Sequence, residues 1–178
     1  MSKTAFAERA KPAAAIDTPI DLPPKAVAEM TEVLNRLVAD AFALYVKTKN
    51  FHWHVSGPHF RSYHLMLDDQ ATQIYATIDE LAERVRKLGG ATVRSIGDIG
   101  RLQRIKDNDA EFVPAVDMLR ELMTDNKATI AAMREAHKKA EDNNDIGTAA
   151  LLETYIDGAE RRNWFLFEAS RTGDNSGH

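Results

Sequence analysis

The chain contains no cysteine, which excludes disulfides, thiolate zinc sites and cysteine nucleophiles. That absence also fits a cytosolic protein. There is no run of about 18 apolar residues, so no membrane-spanning helix is expected. The N-terminal stretch MSKTAFAERAKPAAAIDTPIDLPP lacks the apolar segment of a secretory signal. Neither sign of charge dominates: 23 Lys and Arg stand against 27 Asp and Glu, for a formal charge of −4. This balance argues against a folded body that binds nucleic acid through its own surface. No stretch reads as a β-strand. What remains is 178 residues, 44% hydrophobic and 28% charged, enough for one domain with a proper core.

Residues 1–22, rich in Ala, Lys and Pro and without sustained periodicity, read as a flexible N-terminal tail. Pro23 and Pro24 sit where helices favour proline. A first helix is expected over about 24–56, with Met30, Leu34, Leu37, Ala41, Leu44 and Phe51 on one stripe. Gly57-Pro58 breaks it, with Pro58 suited to the first turn of the next helix. The second helix, about 58–88, carries the stripe Leu67, Ala71, Ile74, Ile78, Leu81, Val85 and Leu88, stepping alternately by four and three, as a bundle seam does. Gly89-Gly90 closes it. The long link 91–112 is expected to hold a short helix, with Ser95 as N-cap and Ile96, Ile99 and Leu102 as its apolar face. Pro114 opens a third long helix (about 114–141), and EDNND turns into a fourth (about 145–171). Residues 172–178 form a polar tail, leaving 23–171 as the domain. Short first and last links around one long crossover give an all-α, ferritin-like four-helix bundle with a short extra helix in that crossover.

Five residues suggest chemistry: His52, His64, Asp68, Asp79 and Glu83. Imidazole plus carboxylate suits iron and its first-row neighbours. On the second helix, His64, Asp68, Asp79 and Glu83 fall within about a 100° arc, roughly 110° from the core stripe, so they flank the bundle core instead of pointing into it. Along the axis, the His64–Asp68 pair lies about 22 Å from the Asp79–Glu83 pair. One metal ion with ligand bonds near 2 Å cannot be held by both ends. Either these are two unrelated pairs or a second chain completes each site. The spacing favours the second reading, because His64 with Glu83 and Asp68 with Asp79 share a midpoint between Gln73 and Ile74. An antiparallel crossing of two copies there brings His64 to Glu83 of the partner subunit and Asp68 to Asp79 of the partner subunit, at two equivalent sites. His52, just before the first turn, is placed to add an imidazole. Trp53 reads first as interface packing and second as a radical buffer beside an oxidising metal. His54 and His59 read as surface or interface histidines, and His137 as structural.

The segments HWHVSGPHF, YHLMLDD and IDELAERVRKLGG closely resemble the Dps family, the DNA-binding proteins from starved cells or mini-ferritins. The likeness runs over most of 24–170 and includes LLETYIDGAERRNWFLFEAS. It implies a hollow homododecamer that oxidises Fe(II), preferentially with hydrogen peroxide, and stores ferric mineral, protecting DNA from oxidative damage. Each inter-subunit site would hold two irons. His52 with Asp79 and Glu83 of the partner subunit would form the primary one, while His64 and Asp68 help a weaker second. A conventional ferritin site inside one bundle needs Glu-x-x-His elements, and no Glu here is followed by His three positions later. Asp125, Glu135, Glu141 and Asp142 are candidates to line a three-fold pore or nucleate mineral, with plain helix surface as the alternative. Lys3, Arg9 and Lys11 of the tail, repeated twelve times, offer nonspecific contact with DNA phosphates. A shell charge of about −48 opposes it. The competing readings are a nucleoid protein whose main role is DNA binding, and a zinc or manganese site that serves assembly without redox chemistry. The expected location is the cytoplasm, with nucleoid association if the tail binds DNA.

Overall fold

The computed structural model describes residues 16–171, which form α1 (Pro24–His54), α2 (Phe60–Lys87), α3 (Ile96–Leu102), α4 (Ala115–Asp142) and α5 (Ile146–Ala169). Among the described residues there is no strand, and no helix is long and apolar enough to cross a membrane. The protein is an all-α four-helix bundle of α1, α2, α4 and α5, with α3 in the crossover. Side-chain pairs give the topology. Tyr45 meets Tyr75 and His52 meets His64, so α1 and α2 are antiparallel. Lys47 meets Asp125 while Lys139 meets Glu29, so α1 and α4 are antiparallel too. The Tyr63 hydroxyl donates to the Ala169 carbonyl and the Gln70 amide to that of Arg162, which sets α5 against α2. The order is therefore up, down, down, up, and the link from α2 to α4 must run the length of the bundle.

Each boundary has a local cause. Pro24 starts α1, and the chain turns extended at Val55. Gly57, at φ +107°, makes the turn that L side chains resist. Pro58 was expected in the first turn of α2 but lies in this preceding turn, and α2 begins at Phe60 with His59 as N-cap. At the other end, Gly89 takes φ +85°; its N–H donates to the Arg86 carbonyl and that of Gly90 to the Val85 carbonyl. That pair of bonds satisfies carbonyls the helix end would leave free. Ser95 caps α3, its hydroxyl accepting from the Asp98 N–H at 3.1 Å. Asp145 caps α5 through the Thr148 N–H at 3.0 Å and also pairs with Arg84.

Both expected core stripes are buried: Met30, Leu34, Leu37, Ala41, Leu44 and Phe51 on α1, and Leu67, Ala71, Ile74, Ile78, Leu81, Val85 and Leu88 at α2. On α3 only Ile99 is buried, and Ile96 is left 80% exposed. The crossover is pinned by Arg104, whose backbone N–H and guanidinium both bond the buried Asp40 of α1. Residues 16–22, composed like a tail, instead lie along the bundle. The Ile16 carbonyl accepts from Arg86 at 3.0 Å and the Thr18 hydroxyl donates to the Lys87 carbonyl at 2.9 Å.

Candidate metal centre

The antiparallel α1 and α2 bring His52 and His64 together near the α1–α2 turn. Their rings stack with centroids 3.8 Å apart, inclined by 23°. His52 Nδ1 lies 2.8 Å from the His64 carbonyl oxygen, and His64 Nδ1 lies 2.9 Å from the His52 carbonyl oxygen. A carbonyl only accepts, so both Nδ1 atoms carry the proton. In the neutral form each ring is thereby held in the tautomer whose Nε2 lone pair is free, the arrangement that orients metal-ligating imidazoles. His52 is only 8% exposed, so its backbone partner also satisfies a buried polar atom.

Asp68, one turn along α2 from His64, joins this pair. Its Oδ1 is 3.9 Å from His52 Nε2 and accepts a 2.8 Å bond from Lys49 Nζ. The Lys49 hydrogen bond lowers the Asp68 pKa, helped by the lysine charge. Sequence reasoning missed Lys49. Its signal was its position three residues before His52, on the same side of α1. Trp53 is 62% exposed, with Lys49 Nζ 5.9 Å from its ring centroid.

Asp79 and Glu83 are exposed on the same face of α2 but near its other end, and Glu83 pairs with Lys87 at 3.5 Å. Among the described residues no group of three or more His, Asp or Glu is placed to hold a metal ion. One chain thus gathers His52, His64 and Asp68 and leaves Asp79 and Glu83 apart. The donor types fit iron: two imidazole nitrogens and a carboxylate at one end, two carboxylates at the other.

The acidic residues considered for a pore divide. Glu135, Glu141 and Asp142 are exposed on α4, with Glu141 3.5 Å from His137 Nδ1. Asp125 is engaged within the subunit. It pairs at 2.7 Å with Lys47, whose side chain is 4% exposed and which also reaches Glu121 at 2.9 Å. Burial alone would lower the Lys47 pKa, but its bonds to Asp125 and Glu121 outweigh this and raise it. Asp125 is therefore a counterion tying α1 to α4. His137 Nε2 lies 3.1 Å from Glu153, linking α4 to α5. Lys3, Arg9 and Lys11 fall outside the described residues.

The ferritin-like domain family matches residues 31–172. A DNA protection during starvation protein of Brevibacillus brevis is 32% identical over 75% of this chain and 89% of its own length. The chain belongs to the Dps family. A low temperature-induced protein of Nostoc is 33% identical over 75% of both chains. The Dps structure from Thermosynechococcus elongatus superposes with a TM-score of 0.81 at 29% identity, covering 84% of this chain and 95% of that one. Membership of this family agrees with the bundle topology and with the absence of Glu-x-x-His elements inside it.

Proposed function

We propose that this Dps protein is a ferroxidase and iron store whose sites are shared between two subunits. The observation that carries this reading is the reciprocal bonding of His52 and His64 to each other's backbone. It frees two Nε2 lone pairs beside Asp68, while the remaining carboxylate donors lie at the far end of α2. Pairing α2 with a second copy about the midpoint at Gln73–Ile74 brings Asp79 and Glu83 of the partner subunit to His52, His64 and Asp68. Tyr75, which is exposed and close to that midpoint, and Val46 and Trp53 on α1 supply apolar surface for such a contact.

Iron is the substrate and then the cargo. His52 with Asp79 and Glu83 of the partner subunit takes one Fe(II), and His64 with Asp68 helps hold a second, weaker one. Two Fe(II) each give up one electron to hydrogen peroxide; its O–O bond breaks, two protons are taken up and two waters leave. Passing both electrons in one place avoids release of hydroxyl radical. Carboxylate oxygens favour the harder Fe(III), which eases the oxidation. Twelve subunits enclosing the product would keep the mineral from solution, and Glu135, Glu141 and Asp142 remain candidates for iron admission or nucleation. Trp53 would take up stray oxidising equivalents.

The Brevibacillus relative is named for DNA protection during starvation, and removal of Fe(II) and peroxide protects DNA without touching it. Contact through Lys3, Arg9 and Lys11 in a cytoplasmic, nucleoid-associated shell is a second contribution, read by a mobility shift titrated against salt with and without residues 1–15. The deciding experiment for the main activity is the Asp79→Ala/Glu83→Ala double variant. It is expected to assemble normally and to lose rapid Fe(II) oxidation by peroxide; unchanged kinetics would overturn the assignment.

A further inference from the structure

A different flank of α2, turned toward α5, carries another constellation. An open cavity of about 390 Å³ between the two helices is lined by Arg61, Asp69, Gln70, Arg161, Arg162 and Phe165, among others. Arg162 is 7% exposed, and its side-chain partner among the described residues is neutral: Nε lies 3.3 Å from the Asn126 amide oxygen. Burial alone pulls its pKa down to about 10, with no carboxylate to offset the loss of hydration. Arg161 lies over the Phe165 ring, Cζ 5.4 Å from the centroid, which leaves the edge of the guanidinium free. Arg61 is exposed. The buried Gln70 bonds the Arg162 carbonyl at 3.3 Å, tying α2 to α5 at the cavity wall. Arg61, Arg161 and Arg162 therefore line the cavity against one carboxylate, that of Asp69, and among the described residues the most buried of the three has no carboxylate partner. A buried charge in that state is costly unless something pairs with it.

We propose that this cavity binds inorganic phosphate. Guanidinium forks match the oxygens of a tetrahedral oxyanion and bond two of them at once. Asp69 supplies what a plain anion site would exclude: an acceptor for the O–H of hydrogen phosphate. Sulfate is fully deprotonated at neutral pH and has no proton to give, so Asp69 repels it. The site is thus a cationic pocket with one selective carboxylate.

The test is calorimetric titration of the iron-free, full-length assembled protein with inorganic phosphate and, separately, with sulfate. Wild-type protein should bind phosphate and prefer it to sulfate by roughly tenfold or more, the scale of one charge-assisted hydrogen bond. Arg61→Gln/Arg161→Gln, which alters two exposed side chains and spares the core, should weaken phosphate by at least about tenfold. Arg162→Met should do the same with helix content retained, and Asp69→Asn should narrow the gap between the anions. No measurable phosphate binding, or equal affinity in wild type and the Arg61/Arg161 variant, overturns the site. Equal binding of sulfate and phosphate by wild type overturns the role of Asp69. The Asp79→Ala/Glu83→Ala protein should bind phosphate normally, so this inference and the ferroxidase assignment fail independently.

Discussion

Two inactive variants of this protein should restore activity when they are folded together. The first carries Asp79→Ala and Glu83→Ala, and the second carries His64→Ala and Asp68→Ala. The side chains removed from the two chains lie about 22 Å apart on α2, so no single subunit joins them at one iron. In a homogeneous shell of either variant, every site lacks one half. In a mixed two-fold dimer, one site receives both intact halves and the other receives both altered ones. Random pairing of equal amounts makes half of the dimers mixed, so about one quarter of the wild-type sites return. The backbone carbonyl of His64, which orients His52 at 2.8 Å, survives substitution of the His64 side chain. The first imidazole should therefore keep its tautomer in both variants. Co-expression from one cell ensures mixing, and the assay is the initial rate of ferric absorbance with limiting peroxide, normalised to protein. A rate near one quarter of wild type supports shared sites. Mixed shells no faster than the homogeneous variants would refute the inter-subunit geometry, because ligands confined to one chain cannot complement.

Other substitutions read the scaffold. Lys47→Met leaves Asp125 and Glu121 facing each other without their cation, and should cost about 3 kcal/mol in urea unfolding. Because those partners raise the Lys47 pKa, its stabilisation is fully present below the ordinary lysine value and is lost as pH rises through the raised one. The gap between wild type and variant should therefore narrow in strong alkali. Phe51→Ala empties one of the largest fully buried positions and should cost about 3–5 kcal/mol, seen as a lower urea midpoint at unchanged slope. Asp145→Ala removes the α5 cap, worth about 1 kcal/mol. It also strips the Arg84 partner, so thermal unfolding should show a larger loss than the cap alone, and Asp145→Asn should recover the cap but not the ion pair.

The fold was legible because its signals are local and periodic. The stripe from Leu67 to Leu88 repeats at helical spacing, Ser95 and Gly89 mark helix ends by their own chemistry, and one long link among short ones sets the topology. Pro58 misled by two residues, since Gly57 and the turn it makes claim that segment before α2 begins. The spacing of His64, Asp68, Asp79 and Glu83 already divided these side chains between the two ends of α2. What it left out depends on how α1 crosses α2. The exchange of carbonyl bonds between His52 and His64, and the reach of Lys49 to Asp68, belong to neither helix alone. The partner of Asp125 was hidden for the same reason. An acid on α4 looks like surface until Lys47, buried on α1, is seen to claim it. Arg162, unremarkable within its own helix, becomes conspicuous only when α2 closes over it.

Division of the donors along α2 has a consequence for control. A lone chain presents imidazoles with one carboxylate at one end and carboxylates at the other, and neither set is placed to hold a metal ion. On the proposed function, exposed Val46, Trp53 and Tyr75 favour pairing of the faces that carry the donors, so the step that buries apolar surface would also complete the sites. Oxidation would then begin only once subunits have paired. Ferric product would form where other subunits can enclose it, instead of on free chains. A site held within one bundle would lack that coupling, since each chain could oxidise iron before any container existed. On that reading the division of donors along one helix makes catalysis a property of assembly, and activity per chain should fall on dilution below the dimer dissociation constant.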